Sequence, residues 1–507
     1  MKIIKKTFKF LMSRVFIINF LLLIQFSFIF YFAFYLGKKG IYFILPFTIL
    51  SFIMAFAILS RSFNPAYKIS WIMLVLMVPF AGLFFYLMFG RLRLSKKKRL
   101  FIDELNAKTN HELAKGYKFT AFEEPDLHRI SQYVFNACGF PALNNTTSQF
   151  LTPGEEMHKA MLEELRKAER FIFLEYFIIS EGQMWNSIEE ILIEKVKNGI
   201  DVRLIYDDFG SMYKTQTHFK KRLISLGIKV VNFNPYIPRL TMIINYRDHR
   251  KMMVIDGNVG FVGGANIADE YINLVTPFGH WKDASVMIKG EGVWNLSYLF
   301  MQMWQFATNT TFNYSDFRPT LKIPTSGFVQ VFGDGPFDQK QIIEDTYLNI
   351  INQAKKYVYI SSPYLVLDNE MVTALKIAAQ SGVDVRIIVP HKPDKKLVFY
   401  VTQSFYATLI KFGVKIYEYE PGFIHSKVII ADDLIAMVGT ANLDYRSLYY
   451  HFEVSCLLLK TESLKDIYQD MVHCFKVSHL VTFDEAKKRT ILRKVIVSFL
   501  SAFSPMI

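Results

Sequence analysis

Parts of this chain are copies of other parts, and that duplication constrains its fold more than any other feature. RFIFLEYFIIS at 170–180 returns as YVYISSPYLVL at 357–367, NGIDVRLIYD at 198–207 as SGVDVRIIVP at 381–390, and LISLGIKVV at 223–231 as LIKFGVKIY at 409–417. The offsets are 187, 183 and 186 residues, too long for a solenoid and about the length of one domain. Each copy predicts strand, helix, strand, helix, strand, because β-branched runs such as VRLIY and VRIIV follow amphipathic segments such as IEEILIEKVKNG and MVTALKIAAQSG. Gly199 and Gly382 stand where those helices should end. The expected fold is therefore α/β, built from two tandem copies of one domain.

Both copies close on the same polar pattern. HRKMMVID at 249–256 precedes GGAN at 263–266, and HSKVIIAD at 425–432 precedes GTAN at 439–442, giving His-x-Lys-x4-Asp twice. The His and Asn positions are both displaced by 176 residues, so the motif repeats in register with its surroundings. His249 and Lys251 are two residues apart, which on one β-strand sends both side chains to the same face. Two such domains packed about a pseudo-two-fold axis would bring His249, Lys251, His425 and Lys427 to one cleft.

That set of groups suits a phosphodiester. Lys251, Lys427, Asn266 and Asn442 are candidate donors to the non-bridging oxygens, while one imidazole attacks phosphorus and the other protonates the leaving alcohol. The lysines neutralise charge as a divalent ion would elsewhere, so neither a metal nor another cofactor is expected. The three cysteines, Cys138, Cys456 and Cys474, match no zinc pattern and their odd number argues against a disulfide framework.

The other half of the composition belongs to a membrane. Hydrophobic residues make up 51% of the chain, and three uncharged runs over 15–36, 41–59 and 71–89 predict transmembrane helices ahead of the two domains. Basic clusters before residue 15 and after residue 90 conflict with an odd number of crossings, unless one run is re-entrant or interfacial. The denser cluster, Arg91 to Arg99, places the catalytic region in the cytoplasm. A formal net charge of +14 favours an anionic polymer or surface, either nucleic acid or acidic lipid. The apolar runs select lipid.

The two motifs resemble those of the phospholipase D superfamily over roughly residues 150–480. Within it, NYRDHRKMMVIDG, FVGGANIADEY, FGHWKD, GFIHSK, GTANLDYRS and the closing SPMI are similar to bacterial cardiolipin synthases. The resemblance implies two phospholipase D-type domains related by pseudo-two-fold symmetry, and a phosphohistidine intermediate. It further implies phosphatidylglycerol as both donor and acceptor, with cardiolipin and glycerol as products. By the same resemblance, Asp283 and Glu453 are the carboxylates that orient the two histidines, Asp256 and Asp432 complete the motif in a turn-stabilising role, and His249 is the nucleophile.

The expected divisions are a membrane region over 1–90, a basic connecting segment over 91–145, domains over 146–320 and 321–480, and a basic amphipathic tail over 481–507. In the tail, Ile491, Val495, Phe499 and Phe503 recur every four residues. His451 stands where the family more often has Asn; it, His280 and His391 read as surface or packing residues. A phospholipase D that hydrolyses its lipid, transfer to another alcohol, a nuclease, and a membrane scaffold with a dead site remain as competing functions.

Overall fold

The computed structural model describes residues 41–61, 64–90, 96–114, 124–235, 246–337, 340–488 and 490–506, with five isolated positions before them. The chain divides into two units. One comprises residues 1–95, 236–246 and 494–507, and the other residues 96–235 and 247–493.

In the first unit, helix α1 (Ile41–Leu59) carries Pro46 within it. The expected span over 71–89 is not one helix. It divides between α2 (Pro65–Met77) and α3 (Pro79–Phe89), broken at Val78 because Pro79 has no N–H to continue the ladder. The run over 15–36 lies almost wholly outside the described residues, as do most of the two basic clusters. Among the described residues, no helix is long and apolar enough to cross a membrane. The helices nonetheless expose large apolar side chains, including Leu50, Phe52, Ile53 and Phe56 of α1 and Ile69, Met77 and Leu87 of α2 and α3.

The second unit holds two large sheets and a third of two strands. The first copy supplies β1 (Thr146–Leu151), β2 (Phe171–Tyr176), β3 (Asp201–Asp207), β4 (Lys229–Phe233), β5 (Arg247–Asp248), β6 (Lys251–Ile255), β7 (Val259–Gly263), β8 (His280–Lys282) and β9 (Ser285–Gly290). The second supplies β10 (Phe328–Asp334), β11 (Tyr357–Ser361), β12 (Asp384–Pro390), β13 (Lys415–Tyr419), β14 (Gly422–Ile424), β15 (Val428–Ala431), β16 (Ile435–Gly439), β17 (His451–Leu459) and β18 (Ser478–Leu480). Strand order is β1-β9-β7-β6-β2-β3-β4 in one sheet and β10-β17-β16-β15-β11-β12-β13-β18 in the other.

The duplication is visible in these orders. β6-β2-β3-β4 corresponds to β15-β11-β12-β13, antiparallel at the first pair and parallel at the next two. Every residue of β2 is buried, and the strand's period of two divides them. Ile172, Leu174 and Tyr176 join a core with Trp185, Ile188 and Leu192, whereas Phe171 and Phe173 join a larger core that includes residues of both copies. The helices that end at Lys197 and Gln380 are followed by Gly199 at φ +82° and Gly382 at φ +94°, left-handed positions that suit glycine.

The connecting segment over 91–145 contributes more than a link. Helices α4 (Lys96–Ala114) and α5 (Pro125–Cys138) belong to the second unit, with Leu113, Leu127, Ile130 and Val134 in the larger core.

Candidate active site

The two copies exchange short strands. β5 pairs in parallel with β17, and β14 with β8, so His249 and His425 each follow a strand held by the other copy. The His249 N–H donates to Phe452 O at 2.9 Å, and the His425 N–H to Lys282 O at 2.7 Å. Each ring is then fixed across the same boundary. His249 Nδ1 lies 2.8 Å from Glu453 Oε1, and His425 Nδ1 lies 2.7 Å from Asp283 Oδ2. Both carboxylates are fully buried and both histidines are 8% exposed. With Nδ1 bonded to a carboxylate, the proton of the neutral ring sits on Nδ1 and the Nε2 lone pair is left for chemistry.

The residues after the motifs serve these carboxylates differently. A Cβ on Gly264 would stand 2.2 Å from Asp283 Oδ1, so glycine is required for that carboxylate to lie where it does. The position 176 residues later is Thr440, whose hydroxyl donates to Glu453 Oε2.

The expectation that His249 and Lys251 share one strand face needs correction. β6 begins at Lys251, β15 begins at Val428, and both histidines sit in the short crossing before these strands. The chain has to cross from one sheet toward the other there, and each lysine ammonium turns back to donate to the carbonyl of its own histidine, Lys251 to His249 and Lys427 to His425. Each lysine is only 1% exposed. Burial lowers Lys251 to about 7 and Lys427 to about 8, with nearby Glu453 and Asp283 opposing the fall. Burial, then the neighbouring Lys427, brings His425 to about 4. Burial together with Lys251, Lys427 and His425 holds His249 well below the usual imidazole range. The exchanged strands carry both motifs to the boundary between the copies, where each lysine acts on both rings.

The asparagines differ. Asn266 Oδ1 accepts from Ile178 N at 2.9 Å and its Nδ2 donates to the Tyr271 hydroxyl at 2.7 Å, leaving one N–H for a ligand. Asn442 is buried, and its Oδ1 has no hydrogen-bond partner among the described residues. Asp256 and Asp432 face away from the imidazoles, at the far ends of β6 and β15. Asp256 accepts from the backbone N–H groups of Glu169, Arg170 and Phe171, and Asp432 from those of Lys355, Lys356 and Tyr357. Both adopt φ +56°.

The sequence did not single out Tyr271 or Thr440, and it left His451 as a surface or packing residue. Tyr271 packs edge-on against His425 with centroids 5.5 Å apart, and Thr440 holds Glu453. Of the two readings of His451, packing holds: it is 8% exposed, and its ring centroid is 5.2 Å from that of His249. Only its place two residues before Glu453 signalled this. His391 does lie at the surface, paired with Glu418 at 2.9 Å.

A protein-family model described as "Cardiolipin synthase, PLD-like domain" matches residues 161–287 and again 347–475, one match for each copy. The chain belongs to this family. A second model, "Phospholipase_D-nuclease N-terminal", matches residues 49–91. A cardiolipin synthase from Geobacillus sp. (strain WCH70) is 37% identical over 90% of this chain and 91% of its own length. An uncharacterized protein of Streptococcus mutans is 44% identical over 75% of this chain and 83% of its own. Among solved structures, the phosphatidylserine synthase of Haemophilus influenzae Rd KW20 aligns with a TM-score of 0.56 over 75% of this chain and 98% of that one. At 13% identity, that likeness is one of fold.

Proposed function

We propose that the protein joins two phosphatidylglycerol molecules into cardiolipin and free glycerol. The observation that carries this reading is the pair of histidines, each oriented by a carboxylate of the opposite copy beside two buried lysines, in a chain similar to named cardiolipin synthases over nine-tenths of its length.

In this reading His249 Nε2 attacks phosphorus, the bond to glycerol breaks, and His425 gives its proton to the departing oxygen. The products of the step are phosphatidyl-His249 and glycerol. His425, now neutral, removes the proton from a hydroxyl of the second phosphatidylglycerol, which attacks phosphorus and frees His249. Lys251, Lys427, Asn266 and Asn442 stabilise the negative charge that builds on the non-bridging oxygens. Glu453 and Asp283 stabilise the imidazolium forms. Burial keeps both rings neutral in the free protein, so His425 takes its proton from solvent as the anionic substrate binds, since the added negative charge favours the imidazolium.

The apolar side chains exposed on α1, α2 and α3 support contact with the bilayer, and the catalytic unit faces the cytoplasm in this reading. Protease added to intact spheroplasts should leave that unit uncut. Purified protein given phosphatidylglycerol alone tests the reaction. Cardiolipin with glycerol is expected, and phosphatidic acid with glycerol would make the protein a hydrolase. Radiolabelled lipid should remain on a His425→Asn variant and not on His249→Asn; the reverse would exchange the two roles.

A further inference from the structure

His451 has no function in the reaction above, yet it is more than nine-tenths buried and, among the described residues, neither ring nitrogen has a partner within hydrogen-bond distance. A buried imidazole always carries at least one donor or acceptor that water would have satisfied, so an empty surrounding is unfavourable. The side chains beside it are metal-binding types. One donor atom from each of His249, His451 and Glu453 lies within 4.8 Å of the other two. Glu453 Oε1 stands 2.8 Å from His249 Nδ1 and 3.7 Å from His451 Nδ1. Donors around a tetrahedral zinc ion, each about 2.0–2.2 Å from the metal, stand roughly 3.3 Å apart, within this spread.

The other half of the site supplies an internal comparison. Trp281 precedes Asp283 by two residues, as His451 precedes Glu453, and its ring lies 5.3 Å from His425 where that of His451 lies 5.2 Å from His249. Indole nitrogen does not ligate metals, so the duplicated arrangement has three donors on one side and two on the other.

We propose that His249, His451 and Glu453 form a binding site for a borderline transition-metal ion of the zinc class, and that occupation of this site stops turnover. Two imidazoles and a carboxylate are a zinc-type donor set, ill suited to magnesium or calcium, which take oxygen ligands. The ion takes the place of the Nδ1 proton between His249 and Glu453, and the ring, still neutral, carries its proton on Nε2 instead, which removes the lone pair that would attack phosphorus. Binding follows from the three donors alone, whereas the loss of turnover rests on His249 being the nucleophile.

The test uses the full chain in detergent, freed of metal by chelator, with Co2+ as a spectroscopic probe and Zn2+ for inhibition. The wild-type protein should bind one equivalent of Co2+ with visible absorption of a nitrogen- and oxygen-ligated ion. Zn2+ should displace it, abolish cardiolipin formation and raise the melting temperature, all reversed by chelator. Loss of one ligand in His451→Asn or His451→Gln should weaken binding by at least about tenfold and raise the half-inhibiting Zn2+ concentration in proportion. His425→Asn should keep the Co2+ spectrum. An unchanged spectrum in both His451 variants, or its loss in His425→Asn, would overturn the site. Stoichiometric Zn2+ binding with full turnover would overturn the inhibition while leaving the site in place.

Discussion

Glu453 meets the Nδ1 of His249 from 204 residues away, across the boundary between the two copies. Asp283 and His425 repeat the relationship in the opposite direction, so neither histidine is oriented by its own half. Glu453→Gln and Asp283→Asn should therefore each lower kcat on the order of 10²–10⁴-fold while leaving the fold intact, as loss of a ring-orienting carboxylate does in other imidazole-based sites. Rates of cardiolipin formation, set beside thermal melting of each variant, check this. A fall in melting temperature without loss of rate would assign the carboxylates to stability alone.

Buried lysines give the pH dependence its direction. Because Lys251 and Lys427 are lowered to about 7 and about 8, kcat/KM should fall as pH rises through that range, when the ammonium groups lose their protons. Stability should move the opposite way. The unfolded chain holds these protons up to the ordinary lysine range, so between about pH 7 and that range it binds more protons than the folded one, and folding gains stability as pH rises. Activity and denaturant unfolding measured from pH 6.5 to 9.5 should show the two trends. An inert phosphodiester analogue should also take up protons on binding near pH 8, read by calorimetry in buffers of different ionisation enthalpy.

Acid should act on the histidines. His425 is held at about 4 and His451 at about 3, both below the unfolded imidazole value near 6.5. The unfolded chain binds more protons as pH falls from about 6.5 toward 4, so stability contributed by these neutral rings is lost across that window. Unfolding midpoints between pH 7 and 4.5 provide the measurement, and the slope should be shallower in His451→Gln.

Asp256 offers a contrast with the residues around the imidazoles. Its carboxylate accepts three backbone N–H groups, so Asp256→Ala should cost about 1–3 kcal/mol of stability. Its effect on rate per folded molecule should be far smaller than that of Glu453→Gln. Denaturant titration and the rate normalised to folded protein separate the two effects.

The C-terminal helix Ile491–Phe503 leaves Ile491, Val495 and Phe499 exposed by 82%, 61% and 58%, with Lys494 beside them. Val495→Asp with Phe499→Asp should weaken binding to vesicles containing anionic lipid, and salt should weaken the wild-type interaction as well. Vesicle sedimentation measures both.

The sequence by itself determined the duplication, the α/β character of each copy and the residue types of the site, because a repeat in register and a period of two are properties of the chain's order. The helix ends at Gly199 and Gly382 were equally legible, since the backbone conformation needed there suits glycine. Local patterning also marked the tail helix. It did not mark the break at Val78, where hydrophobicity runs unchanged through Pro79 and only the missing N–H divides the helix.

What tertiary structure decided is who faces whom. That Glu453 serves His249 and not His425 depends on β5 pairing with β17 and β14 with β8, contacts between residues about two hundred and one hundred and forty positions apart that no local pattern encodes. The lowered values of Lys251 and Lys427 depend on burial, which lysine in a sequence does not announce. His451 reads as one more scattered histidine until the strand that holds Glu453 brings it against His249, and that packing adds a third nitrogen- or oxygen-donor side chain to one half of the site.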